Sequence, residues 1–369
     1  MQIKEIYDEM DYGAAPESSL EAHNWLEKHN YNFGNFINGK WKSCKDHFDT
    51  INPSNNKVLA RIGQSSQADI DSAVKAARTA QKKWSAESDH KRARILYAIA
   101  RLLQKNSRLF AVLETLDNGK PIRESRDIDI PLAQRHFYYH AGMAQLMKAE
   151  LPNRSPIGVC GQIIPWNFPL LMLSWKIAPA IAMGNAVVLK PAEYTSLTAL
   201  LFAELCVSAG VPKGLINIVT GDGKVGEMIV NHKDINKIAF TGSTEVGKLI
   251  REKTAGSGKS LTLELGGKSP FVVFDDADLD SAIEGVVDAI WFNQGQVCCA
   301  GSRLLVHEAI AEKFYKKLKA RMKTLRLGNP LDKSIDMGAI IDKKQHEKIS
   351  RMVSQSNGKV YQADIPLPE

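Results

Sequence analysis

"GVCGQIIPWNFPLLMLSWKIAPAIAMGNAVVLKPAE", residues 158–193, sets two short apolar runs, GVCGQII and AVVLK, on either side of a helical segment over 170–182. Each run stops in turn-forming residues, Pro165-Trp166-Asn167 after the first and Lys190-Pro191-Ala192-Glu193 after the second. The rhythm continues with LINIVT (215–220), KIAF (237–240) and LTLELGG (261–267), and further helical segments cover 196–209 and 244–253. Such alternation predicts an α/β fold with a parallel sheet and helices on both of its faces. Sheets of this kind bind ligands beyond the carboxyl ends of their strands, so the residues after each run form the candidate site. Besides the two turns above, these are Gly221-Asp222-Gly223, Thr241-Gly242-Ser243 and Glu264-Leu265-Gly266-Gly267.

Upstream, residues 67–106 keep a helical period through Ile70, Val74, Ala77 and Trp84, and Ser66 with Asp69 forms a capping-box signature at its start. Downstream, another apolar run opens FVVFDDAD (271–278), and a helix over 279–293 leads to the paired cysteines Cys298 and Cys299. A domain boundary falls near Gly267.

With 369 residues, 44% hydrophobic and 24% charged, the chain is long enough for two packed cores and too apolar for disorder. The opening residues carry mixed charge without an apolar run, which argues against a secretory or transit leader. The longest apolar stretch, 168–184, is interrupted by Lys176 and Pro179 and falls short of a bilayer span, so a soluble protein without a membrane partner is expected. Five cysteines without C-x-x-C spacing suit neither a disulfide framework nor a metal site and point to the cytoplasm. The net charge of +7 is scattered apart from residues 312–328, where Phe314, Leu318, Met322 and Leu325 keep helical spacing and leave the basic residues outward. That reads as a solvated helix face rather than a nucleic-acid surface.

Two patterns invite a stronger reading than they bear. GDGKVG, residues 221–226, matches G-x-G-x-x-G between a strand and a helix, yet the next strand ends in Thr241-Gly242-Ser243 where an acidic residue would complete that fingerprint. It is read as a strand-to-helix turn beside a cofactor held elsewhere. His136 and His140 lie one helical turn apart but lack the acidic partner of a metal motif, so they are read as a packed or exposed pair.

A thiol serves catalysis only where it can ionise and be approached. If residues 298–299 are extended, one cysteine faces the site and the other the packing, and periodicity does not say which. Two buried structural cysteines are the competing reading.

IIPWNFP, VVLKPAE, FTGSTEVG, LELGGKSP and NQGQVCCAGSR stand in the order and spacing of the NAD(P)-dependent aldehyde dehydrogenase superfamily, which the chain resembles over residues 163–303. Weaker likeness reaches back to FINGKW (36–41) and forward to MGAIIDKKQ (337–345), and the opening IYDEMDYGAAPES is similar to family 16 of that superfamily. The resemblance implies a Rossmann-like cofactor domain over 1–266, with a short oligomerisation segment near 142–158, and a partial α/β catalytic domain over 267–369. It makes Cys298 the nucleophile, Glu264, 34 residues earlier, the general base, and Asn167 the oxyanion donor. It holds NAD through Thr241, Gly242, Ser243 and Gly247, and the adenosine ribose through Lys190 and Glu193. Ile164, Pro165, Trp166, Gly223 and Gly226 line the nucleotide, and Gln345 is a later contact. A carboxylate at Glu193 disfavours a ribose 2′-phosphate, hence NAD before NADP.

The implied activity is oxidation of a small-molecule aldehyde to a carboxylic acid through a cysteine thiohemiacetal and thioester. A CoA-acylating relative, which hands its thioester to a thiol, needs Glu264 less. The sequence ends before the family's E-x-F-G-P segment, and residues 143–157 are shorter than its oligomerisation hairpin, so a truncated chain with a weakened homo-oligomer is expected. The competing function is a catalytically weak nucleotide-binding scaffold or subunit.

Overall fold

A computed structural model of the chain describes residues 15–366 and 368. Its first part holds α1 (Leu20–Lys28), the short strands β1 (Asn32–Phe33), β2 (Asn35–Ile37) and β3 (Lys40–Lys42), then β4 (Asp46–Ile51) and β5 (Val58–Gln64). Three helices follow, α2 (Gln67–Ser85), α3 (Asp89–Lys105) and α4 (Ser107–Asn118). One helical turn (Ile122–Glu124) and a π turn (Ser125–Asp129) run into α5 (Ile130–Glu150). The alternating region comprises β6 (Val159–Ile163), α6 (Pro169–Ala182), β7 (Ala186–Lys190), α7 (Leu197–Ser208), β8 (Ile216–Ile218) and α8 (Gly223–Asn231). It continues through β9 (Lys237–Gly242), α9 (Thr244–Thr254) and β10 (Ser260–Leu265). Last come β11 (Pro270–Val273), α10 (Leu279–Trp291), β12 (Arg303–Val306), α11 (Glu308–Met322) and α12 (Lys343–Ser354).

The main sheet has strand order β10-β9-β6-β7-β8-β2-β3. Its first five strands are parallel, and the antiparallel pair β2–β3 extends one edge. Every residue of β6 and β7 is buried, the pattern of strands covered on both faces. Helices α2, α8 and α9 pack together in one layer, and α6 with α7 in another. Register pairs Ile163 with both Lys190 and Phe240, which brings the carboxyl ends of β6, β7 and β9 level at one edge of the sheet. A second sheet, β1-β5-β4, lies outside this stack.

The helical pattern over 67–106 resolves into two helices because Ser88 caps a new start, its hydroxyl accepting from Lys91 N–H at 3.2 Å. The capping box at Ser66 forms as read, with Ser66 N–H donating to Asp69 Oδ2 at 2.9 Å and Asp69 N–H to Ser66 Oγ at 3.3 Å. Residues 142–150 continue α5, and residues 151–157 contain no strand. Good helix formers with Ala144 and Met147 buried against the core account for this.

Sheet membership changes just past β10: Leu265 still pairs in the main sheet, whereas Pro270 opens a separate parallel pair, β11–β12. That pair has its own small core of Val273, Ile283, Val286, Phe314 and Leu318. Helix α11 buries Phe314 and Leu318 there, and its Arg321 bridges to Glu284 of α10 at 2.8 Å. Among the described residues no helix is long and apolar enough to cross a membrane.

Removing the Ser66 hydroxyl breaks the capping box at the start of α2 and leaves the Asp69 N–H only the Ser66 carbonyl at 3.1 Å. Ser66→Ala is expected to cost about 1 kcal/mol, read as a lower urea midpoint at unchanged slope.

Candidate active site

Five parallel strands deliver the predicted residues to one edge. After β6, Ile164 is buried and its N–H donates to the Lys190 carbonyl at 3.1 Å, while Pro165, Trp166 and Asn167 remain half-buried before α6 begins. At the end of β7 the Lys190 ammonium is buried, donates to the Pro191 carbonyl at 2.9 Å and lies 3.5 Å from Glu193 Oε2. Burial pulls the Lys190 ammonium down, and the Glu193 carboxylate opposes that shift. Thr241 and Gly242 close β9, and Ser243 caps α9 by accepting from Val246 N–H at 3.3 Å. The turn at residues 221–226 opens α8 under an Asp222 cap, Lys224 N–H to Oδ1 at 3.0 Å.

The glycines report what space these turns leave. A Cβ at Gly223 would meet nothing within 4 Å, and one at Gly226 would only touch Ile163 and Lys190 at 3.6 and 3.7 Å. A Cβ at Gly242 would strike the Phe240 ring, and one at Gly247 would lie 2.6 Å from Leu265, so packing alone explains those two. Open space beside two capped helix starts, with a carboxylate at the next strand end, fits a dinucleotide: helix N–H groups suit its phosphates and Glu193 its ribose hydroxyls.

Helix α10 ends at Trp291, short of the expected Asn293, because Asn293, Gln294 and Gly295 turn left-handed at φ 47°, 54° and 75°. Non-glycine residues hold that conformation only when their surroundings fix it. Here Asn293 N–H donates to Glu124 Oε2 at 2.9 Å, and Gln294 Nε2 donates to the Ala339 carbonyl at 2.9 Å. Asn293 Nδ2 donates to the Asn167 carbonyl at 2.9 Å, while Asn167 Nδ2 donates to the Gln296 carbonyl at 2.8 Å. One amide proton of Asn167 is thus engaged two residues before Cys298, and an amide nitrogen carries a second.

The expectation that one of the paired cysteines packs inward is corrected. Residues 298–299 form a turn rather than extended backbone, and both cysteines are exposed. Burial, followed by the adjacent Cys299 thiol, pushes the Cys298 thiol up. Glu264 stands exposed near the end of β10, paired in register with Thr241. The Nζ of Lys176 donates to Thr241 Oγ1. Burial pulls the Lys176 ammonium down to about 8, with the Glu264 charge opposing.

Gln345 lies in the first turn of α12, its backbone N–H on Asp342 Oδ1 at 2.8 Å. Among the described residues no hydrogen bond joins its side chain to the strand ends. His136 and His140 stack with ring centroids 6.2 Å apart, and His140 Nδ1 bonds the His136 carbonyl at 2.8 Å. Lys176, Asn293 and Gln296 were not among the sequence candidates. A lysine inside the apolar run of α6 was the visible signal for the first, while the other two needed the left-handed turn to be seen.

These features define an α/β protein with a dinucleotide-type sheet edge and a cysteine turn locked to it. The chain belongs to the aldehyde dehydrogenase family, whose model matches residues 41–364. It is 46% identical over 334 residues to the mitochondrial aldehyde dehydrogenase family 2 member B4 of Arabidopsis thaliana, covering 87% of this chain and 62% of that protein. It is 44% identical over 331 residues to the mitochondrial aldehyde dehydrogenase of Rattus norvegicus, covering 85% and 64% respectively. The chain therefore spans less than two thirds of the length of these relatives. The NAD+ complex of an aldehyde dehydrogenase from Bacillus cereus superposes with a TM-score of 0.87 at 40% identity, over 92% of this chain and 72% of that one.

Gly223 and Gly161 separate ligand space from packing space. Gly161→Ala would press a Cβ to 2.7 Å from Ile229 Cγ2, and overpacking of that kind is expected to cost about 1–3 kcal/mol in a thermal melt. Gly223→Ala should leave the melt within about 0.5 kcal/mol while weakening NAD binding several-fold in a titration. Unchanged affinity would put the nucleotide away from this turn.

Proposed function

We propose that this chain binds NAD and oxidises an aldehyde to the carboxylic acid through a thioester on Cys298. The observation that carries the reading is the hydrogen bond from Asn167 Nδ2 to the Gln296 carbonyl, 2.8 Å, which ties an amide donor to the thiol turn.

The Cys298 thiolate adds to the carbonyl carbon and makes it tetrahedral. Oxygen charge that develops there needs preorganised donors, and the free amide proton of Asn167 with the Cys298 backbone N–H is suited to that task. Loss of one such donor typically costs about 2.7–4 kcal/mol of barrier. A bound nicotinamide would supply the acceptor for the hydride that must leave this carbon to give the thioester. Water then cleaves the thioester on Cys298, and Glu264, exposed near the end of β10, takes the water's proton. Lys190, Glu193, Ser243 and the turns at Gly223 and Gly242 would hold the dinucleotide, and Glu193 would favour NAD over NADP.

Kinship with family 16 belongs to the same proposal and rests on residues 6–18, of which 6–14 lie outside the described residues. So do a division into a cofactor domain (1–266) and a catalytic domain (267–369), a homo-oligomeric state, and a cytoplasmic location suited to free cysteines.

Intact-mass spectrometry after mixing with NAD and an aldehyde provides the test. An acyl adduct on Cys298 is expected, persisting in Glu264→Gln, and forming faster as pH rises through and beyond the ordinary thiol range because that thiol is pushed up. Nucleotide binding without any adduct would leave the scaffold reading instead.

A further inference from the structure

The turn between α4 and α5 touches both loops of the candidate site, although its residues take no part in the chemistry. Asn118 Nδ2 donates to the Trp166 carbonyl at 2.7 Å, and Lys120 Nζ lies 4.2 Å from the centroid of the Phe168 ring, so residues on either side of Asn167 are held from below. The same turn reaches the thiol loop, where Glu124 Oε2 accepts from Asn293 N–H at 2.9 Å and the Gly119 carbonyl accepts from Gln294 Nε2 at 3.4 Å. Phe168 and Phe292 stack at 6.0 Å with rings 19° apart, closing the gap between the two loops. Lys120 and Asp129 pair while fully buried, so this turn cannot drift without exposing or separating a buried charge pair.

We infer that residues 118–124 form a clasp that sets the Asn167 amide against the Cys298 thiol, with Glu124 and Lys120 as its positioning residues. The inference rests on the proposed thiol chemistry only in the consequence it assigns to the clasp. Asn293 is left-handed and buried, and without an acceptor its N–H would be orphaned at the root of the turn. Burial raises the Glu124 carboxyl to about 8, against the opposing Lys120 charge and the Asn293 bond, while Asp129 adds to the rise and Arg123 offsets it. At neutral pH Glu124 is therefore a neutral acceptor, and a glutamine can take its place.

The test compares the full-length chain with Glu124→Gln, Glu124→Leu and Asn293→Gly. The last removes the side chain bridging to Asn167 while suiting the positive φ. Iodoacetamide alkylation of Cys298 is followed by peptide mass spectrometry across pH, beside a thermal melt and an NAD titration. The clasp fixes the turn that carries the exposed Cys298 thiol, so Glu124→Leu and Asn293→Gly should shift its alkylation profile at neutral pH, by about tenfold for a one-unit change. Glu124→Gln should overlay the wild type, and NAD affinity should hold throughout. Where aldehyde turnover is measured, the two disruptive variants should lose kcat by about 10²-fold with little change in the KM for NAD.

Profiles that overlay in all variants would overturn the inference, as would equal perturbation in Glu124→Gln and Glu124→Leu. If Glu124→Leu does not fold, an unchanged profile in Asn293→Gly overturns it alone. A shifted alkylation profile in a chain that forms no acyl adduct would instead sink the aldehyde-oxidation reading and leave the clasp standing.

Discussion

Two amides exchanged between loops govern this site. Asn167 donates to the carbonyl of Gln296 and accepts, through its own carbonyl, from Asn293. Because each residue uses its backbone as well as its side chain, the β6–α6 loop and the cysteine turn cannot shift independently. Buried polar pairs of this sort add little net stability when made but are expensive to leave half-made. They therefore specify geometry more than they add free energy, which is what a site needs when near-attack distances decide rates.

The surroundings are unusually charged for an interior. Lys190 stands at the end of β7 and Lys176 on α6, both with their ammonium groups pulled down by burial, and the charges of Glu193 and Glu264 respectively oppose that shift. Beneath the loops, Glu114 and Glu124 are both raised to about 8 by burial around the Lys120–Asp129 pair. Where such groups are desolvated, a dipole aimed at developing charge acts more strongly than in water. Partial burial and the neighbouring Cys299 thiol push the Cys298 thiol up.

The parallel sheet was legible because its strands are buried on both faces and read as continuous apolar runs, and because each run ends in turn residues that fall at the same edge. Glu264, Asn167 and the cysteine pair were findable by motif, and Lys190 with Glu193 by their place after a strand. The antiparallel strands β2 and β3 were not, since runs of three residues carry too little periodicity to read. Nor was the clasp: no motif marks Asn118, Lys120 and Glu124, and only the packing of α4 on α7 and of α5 on α6 turns them inward. The outward Cys299 was missed because the extended-backbone rule does not apply within a turn.

The cysteine turn follows an element of the second, smaller core yet is fastened elsewhere. Cys298 follows α10, whose Ile283 and Val286 pack with β11 and α11, yet its turn is fastened to the larger core through Asn167 and Glu124. A second set of bonds, from Gln294 to Ala339 and from Ile341 N–H to Gln296 Oε1 at 3.1 Å, fastens it to the segment before α12. The turn is thus anchored on three sides, and the segment after α11 ties back to the larger part as well, through Ile122 N–H to the Pro330 carbonyl at 2.7 Å and Ala339 N–H to the Gly119 carbonyl at 2.9 Å. With both the thiol turn and the segment beyond α11 bonded to residues 119–124, the cysteine is held to the larger core by more than the chain link after Leu265.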